Sequence, residues 1–238
     1  MKPHREVASP NHGPRPSGSA IDMLILHYTG MPDAAAALER LCDPETRVSA
    51  HYLVDRDGTV TVMVPEERRA WHAGVASWRG ATDINDRSIG IELVNPGHQW
   101  GYLPFPPEQM SVLVELCRGI VSRHAIDPGH VLGHSDIAPV RKNDPGELFD
   151  WRGLALAGVG WWPDPDPVPR DWRPLPLAGL RAALRLIGYD CPDNGGRETD
   201  RAVVRAFQRH WLPDRVSGRI DRSTAHRIVQ LAGLLERT

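Results

Sequence analysis

The stretch VLGHSDIAPVRKNDPG, residues 131–146, sets His134, Asp136, Lys142 and Asp144 in one polar segment behind a short apolar run. An imidazole, two carboxylates and a lysine on a loop of a rigid scaffold are the materials of a site. His27 closes a second apolar run, MLILHY, and Glu92 lies inside a third, SIGIELVN. Two histidines and an aspartate are a common ligand set for catalytic zinc, which keeps one position for water. Spacing alone does not bring His27 and His134 together, so a hydrogen-bonded core histidine competes with a ligand for His27. For Lys142 the competing reading is a solvated loop charge. Glu92 is harder to set aside, because a carboxylate buried without a partner is costly. Ser135 and Asp136 flank His134 too closely for a serine triad, and Asp136 reads as a loop-capping or outer carboxylate.

The elements that must position these groups follow from hydrophobic patterning. IDMLILHYTG predicts a strand covered on both faces, stopped at Gly30. DAAAALERLC predicts a helix, and SAHYLVDRDGTVTVMVP two strands turning at Asp57-Gly58. In SIGIELVN, Ile89, Ile91 and Leu93 share one face, with Gly90, Glu92 and Val94 on the other. A helix from about Pro107 buries Met110, Leu113, Val114, Cys117, Ile120 and Val121, and HVLGH is a last short strand. The expected fold is α/β, a mixed central β-sheet flanked by helices and followed by a small three-helix domain. His27 and His134 both follow strands, and strand ends of one sheet often share an edge.

The chain has 238 residues and a net charge of −2 with its cations dispersed, which gives no nucleic-acid footprint. No apolar run is long enough to cross a membrane. Cys42, Cys117 and Cys191 have no metal or redox spacing and read as reduced thiols. Residues 1–19 are polar, lack the apolar middle of a secretory signal, and read as a mobile tail of a cytoplasmic protein. Residues 161–176 hold six prolines and three tryptophans and read as a linker. Three short helices are expected in 177–238, the first stopped by Gly188, the second opened by Thr199 and the third by Asp221 or Ser223.

LILHYTG, SAHYLVDRDGTV, WHAG, SIGIELVN and LGHSDIAPVRKNDPG, in that order, resemble the zinc-dependent N-acetylmuramoyl-L-alanine amidases of the type-2 amidase family. That family includes phage lysozyme-type amidases and is related to peptidoglycan recognition proteins. The likeness spans residues 20–160, the expected catalytic domain. It implies Zn2+ held by His27, His134 and Asp144, with Glu92 as catalytic carboxylate and Lys142 as transition-state stabiliser. Relatives without the glutamate often carry a tyrosine where this chain has Ala50, so the chain fits the Glu-using branch. WHAG resembles the family's groove lining, which makes Trp71 and His72 candidate contacts for sugar or peptide. Asn95, just past the Glu92 strand, is a further candidate for substrate binding. His4, His12, His98, His124, His130, His210 and His226 are left as solvent or packing residues.

Residues 177–238 resemble a three-helix peptidoglycan-binding module, although NGGRET replaces its more regular turn. The implied reaction is hydrolysis of the amide between the lactyl group of N-acetylmuramic acid, or its 1,6-anhydro form, and L-alanine of the stem peptide. The implied partner is peptidoglycan or its fragments, with a monomer favoured. A wall-binding module would suit a periplasmic enzyme, against the cytoplasmic reading of the amino terminus. The alternative is a non-catalytic peptidoglycan receptor on the same scaffold. Such receptors typically lack a metal ligand, and this chain keeps all three.

Overall fold

The computed structural model describes residues 5–236; residues 1–4, with His4, and residues 237–238 lie outside the described residues. The strands are β1 (Arg5–Glu6), β2 (His12–Pro14), β3 (Met23–Tyr28), β4 (Tyr52–Val54), β5 (Val60–Val62), β6 (Arg68–Ala70), β7 (Ser88–Leu93) and β8 (Val131–Gly133). The helices are α1 (Ala34–Cys42), α2 (Gly97–Trp100), α3 (Pro107–His124), α4 (His134–Ile137), α5 (Trp151–Leu156), α6 (Leu177–Ile187), α7 (Gly196–Trp211) and α8 (Arg222–Leu235).

Six strands form one mixed sheet in the order β1-β5-β4-β7-β3-β8. Every neighbouring pair is parallel except β4–β5. That pair is the expected hairpin, and Gly58 supplies the positive φ its turn requires. β2 and β6 pair separately and antiparallel. In the parallel register of β3 and β7, Leu24, Leu26 and Tyr28 stand opposite Ile89, Ile91 and Leu93. These residues pack against the Leu113, Cys117 and Ile120 face of α3. On the reverse face Met23 stands opposite Ser88, Ile25 opposite Gly90 and His27 opposite Glu92.

That reverse face is covered in two parts. Ala37 and Leu41 of α1 pack on Leu53 and Val94. Leu180, Leu184, Phe207, Ile228 and Leu231 of the last three helices share one core with Met23, Ile25 and Leu132. The helical module is therefore built onto the sheet rather than closed around a core of its own. Residues 161–176 carry no helix or strand, and Trp161, Trp162 and Trp172 pack against that same core. Gly188 stops α6 with φ 141°, and Asp221 caps α8 by accepting from the Thr224 N–H at 2.7 Å. The second of these helices starts at Gly196, three residues before Thr199. Among the described residues no helix is long and apolar enough to cross a membrane.

The expected mobile tail needs correction. Residues 5–6 pair with β5, and Ser9 and Asn11 are buried. The Asn11 Nδ2 donates to the carbonyls of Asp43 and Val48 at 2.8 and 2.9 Å. Arg15 donates to the carbonyls of Glu66, Asn85, Asp86 and Ser88. The segment is ordered by polar side chains saturating backbone carbonyls, a mode of packing that leaves no hydrophobic period to read.

Candidate metal centre

Sheet order brings the histidines together. β3 lies between β7 and β8, so His27 has Glu92 on one side and the end of β8 on the other. β8 stops at Gly133, paired with Leu26, and His134 is the next residue, at the start of the α4 turn. The loop after α4 folds back, with the Ser135 N–H donating to the Asp144 carbonyl at 2.9 Å. His27 Nδ1 is 2.9 Å from His134 Nδ1 and 3.1 Å from Asp144 Oδ2, and His134 Nδ1 is 3.0 Å from that same oxygen. All three side chains are buried.

Hydrogen-bond partners fix what these three atoms offer. The Ser88 hydroxyl donates to the Ile84 carbonyl at 2.6 Å, so its oxygen accepts from His72 Nε2–H at 3.1 Å. A neutral His72 then has its lone pair on Nδ1, which accepts from His27 Nε2–H at 3.0 Å. His27 Nδ1 is left with a lone pair. His134 Nε2–H donates to the Ala73 carbonyl at 3.0 Å, which leaves His134 Nδ1 in the same state. Burial, and then the facing His134, lowers the His27 pKa to about 4, which keeps its ring neutral.

Two imidazole lone pairs and a carboxylate oxygen thus converge with no proton between them, an arrangement that calls for a cation. Tetrahedral ligands at about 2.0–2.1 Å from a metal stand about 3.3 Å apart, close to the observed triangle. His27, His134 and Asp144 could hold a metal ion.

Behind His27 the packing is tight. A Cβ at Gly90 would lie 2.4 Å from His72 Cγ, so glycine leaves the niche in which that ring sits. A second ring stands behind it. The Gly90 N–H donates to His51 Nδ1 at 2.9 Å, and His51 Nε2–H donates to the Arg68 carbonyl at 3.1 Å. Burial holds His51 down to about 3, and burial, followed by the repulsion a protonated His27 would exert, holds His72 well below its ordinary value.

Glu92 reaches the same space from β7. Its Oε2 is buried with no hydrogen-bond partner among the described residues, and burial, then the nearby Asp144, pushes its carboxyl well above the usual range. The charge of Lys142 opposes that rise. Both residues line a groove of about 530 Å³ that opens over His134 and Asp144. Trp71 lies on its wall, as the sequence suggests, and so do Arg40 and Trp100, which sequence reading missed. Trp100 is 66 % exposed, an uncommon state for so large an apolar surface. The only signal for it was an aromatic residue in a glycine- and proline-rich loop.

Two substrate-contact expectations are revised. Asn95 is fully buried; its Nδ2 donates to the Leu103 carbonyl at 2.7 Å and its Oδ1 accepts from the Gly97 N–H at 3.0 Å. It braces the loop that presents Trp100 and does not face the groove. His72 touches the groove wall, but both ring nitrogens are engaged by His27 and Ser88, so its bonding serves the metal-facing histidine.

A family profile described as N-acetylmuramoyl-L-alanine amidase matches residues 17–147. The N-acetylmuramoyl-L-alanine amidase AmiD of Escherichia coli K12 is 41 % identical over 223 residues, covering 86 % of this chain and 79 % of the relative. The 1,6-anhydro-N-acetylmuramyl-L-alanine amidase AmpD of Haemophilus influenzae is 36 % identical over 165 residues, 62 % of this chain and 88 % of that protein. A structure of E. coli AmiD with anhydro-N-acetylmuramic acid-L-Ala-D-γ-Glu-L-Lys superposes with a TM-score of 0.82 at 37 % identity, covering 92 % of both chains.

Proposed function

Because the chain belongs to the N-acetylmuramoyl-L-alanine amidase family, we propose that it hydrolyses the amide joining the lactyl group of N-acetylmuramic acid to L-alanine of the peptidoglycan stem peptide. The 1,6-anhydro sugar is included among its substrates, because the AmpD relatives are named for acting on that form. The observation that carries this reading is the meeting of His27, His134 and Asp144 beneath a groove that His134, Asp144, Glu92 and Lys142 line. Zinc is the metal proposed, since two imidazoles and a carboxylate suit it and leave one position open.

When bound, zinc supplies Lewis acidity, polarising the scissile carbonyl and acidifying a water molecule. The chain's own residues do the rest. His27 and His134 present fixed Nδ1 lone pairs, because their Nε2 hydrogens are committed to His72 and Ala73. Glu92, ionised before attack, takes the proton of the attacking water on its unpartnered Oε2 and passes it to the departing alanine nitrogen. Lys142 Nζ stabilises the negative charge that develops on the former carbonyl oxygen. Trp71 and Trp100, both on the groove wall, offer apolar faces to the sugar and peptide.

The test is release of stem peptide from muropeptides, followed by mass spectrometry of the products. Cleavage at the lactyl–alanine amide, lost on chelation and restored by zinc, is expected. Cleavage unaffected by exhaustive chelation would overturn the metal mechanism, and absence of that product with zinc present would overturn the substrate.

A further inference from the structure

We infer that Tyr189 and His210, both from the helical module, are positioning residues for the metal centre, acting through Asp136 on the turn that carries His134. This inference rests on the metal reading of His27, His134 and Asp144. Asp136 is 1 % exposed, and each of its oxygens is taken. Oδ2 accepts from the Gly133 N–H at 2.8 Å and from His210 Nδ1–H at 2.7 Å, while Oδ1 accepts from the Tyr189 hydroxyl at 2.7 Å. Gly133 is the last residue of β8, and His134 opens the four-residue α4 turn that also contains Asp136. One carboxylate thus ties the strand end, the ligand-bearing turn and two parts of the helical module.

The donors are themselves held. The His210 ring lies between Trp151 and Trp211, with centroids 3.9 and 4.1 Å away and interplanar angles of 12° and 7°. Tyr189 meets Trp78 edge-on at 5.1 Å. A buried carboxylate deprived of such partners seeks others or water, and the turn that bears it moves with it. His134 has little freedom to absorb such movement, because its Nδ1 lone pair must converge with those of His27 Nδ1 and Asp144 Oδ2 within about 3 Å. The module therefore does more than cover one side of the sheet: it supplies the outer support of a metal ligand.

The experiment measures zinc affinity of the full chain by competition with a chromophoric chelator, alongside the visible spectrum of the cobalt-substituted protein. Tyr189→Phe and His210→Leu each weaken zinc binding by roughly 10- to 100-fold, as loss of outer support does elsewhere, and alter the cobalt bands. His210→Asn, which keeps an N–H near the position of the ring Nδ1, restores most of the affinity. Val203→Ala, a core change in α7 seven residues before His210, lowers the melting temperature without changing zinc affinity. Parental affinity in both Tyr189→Phe and His210→Leu overturns the inference, as does an equal weakening in Val203→Ala. A parent chain that binds no zinc overturns the metal reading, and the inference falls with it.

Discussion

Two clusters built from nearly the same chemistry lie two residues apart along the chain. In one, His27, His134 and Asp144 face one another; in the other, Asp136 faces His210 and Tyr189. Both are buried, and both join imidazole to carboxylate at about 3 Å. They differ in hydrogens. Around Asp136 every lone pair used meets an N–H or O–H, and the cluster is complete as it stands. Around Asp144 the outer bonds of the histidines have consumed the hydrogens, and three acceptors are left facing each other. Residue type and burial do not separate a metal site from a brace; the distribution of protons does.

The contrast is tested hardest at its first member. His134→Ala removes both bound zinc and amidase activity, whereas Asp136→Asn retains zinc at raised concentration; metal analysis after dialysis separates the two. Next comes Glu92→Gln, for which turnover falls by about 10²–10⁴ with zinc content unchanged, the loss expected for a proton-transferring group. Glu92 also sets a pH limb. Its carboxyl is raised well above 4.5 and must be ionised to act, so kcat/KM of the parent declines with falling pH from a point above 4.5. Lys142→Met lowers kcat by roughly 10²–10³, the scale of one lost oxyanion contact, with smaller change in KM.

Gly90→Ala sharpens the comparison from behind. It displaces the His72 ring, frees the His27 tautomer and weakens zinc binding about tenfold or more without touching a ligand. The smallest effect concerns Glu66, a second complete brace. It accepts from the Tyr52 hydroxyl, Arg123 and His124, each at 2.6 Å. Burial raises its pKa, but these bonds outweigh it and hold the carboxyl at about 2, below its ordinary 4.5. Its stabilising contribution is full above pH 4.5 and is lost as pH falls through about 2. The melting temperature of Glu66→Gln therefore changes less between pH 5 and 2 than that of the parent.

What the sequence disclosed follows the same division. The runs ending at His27 and Gly133 are apolar and bounded, so β3, β7 and β8 were legible, and with them the edge at which ligands could meet. Alternation in SIGIELVN assigned Glu92 to the face opposite Ile89, Ile91 and Leu93, as the register has it. Asp144 lay on a loop whose return no pattern specified, so spacing offered it only as one possible ligand and the resemblance singled it out. The polar anchors were not legible. Asn11 and Arg15 bind carbonyls dozens of residues away, and His210, in sequence a solvent or packing residue, binds Asp136 across 74 positions. A hydrogen bond formed across such distances leaves no period in the chain. Asn95 misled for the opposite reason: its place next to Glu92 suggested function, while its partners lie in its own loop.

The alignment of β3 with β7 carries one more consequence. A shift of β7 by one residue would swing Glu92 beneath α3, away from His27, and would bring Ile89 or Ile91 under a ring that has no room for a methyl group. A mispaired chain therefore cannot settle into a sound shell around an idle centre, because the error that disarms it also unseats its interior. Specific activity in this protein doubles as a gauge of the fraction correctly assembled.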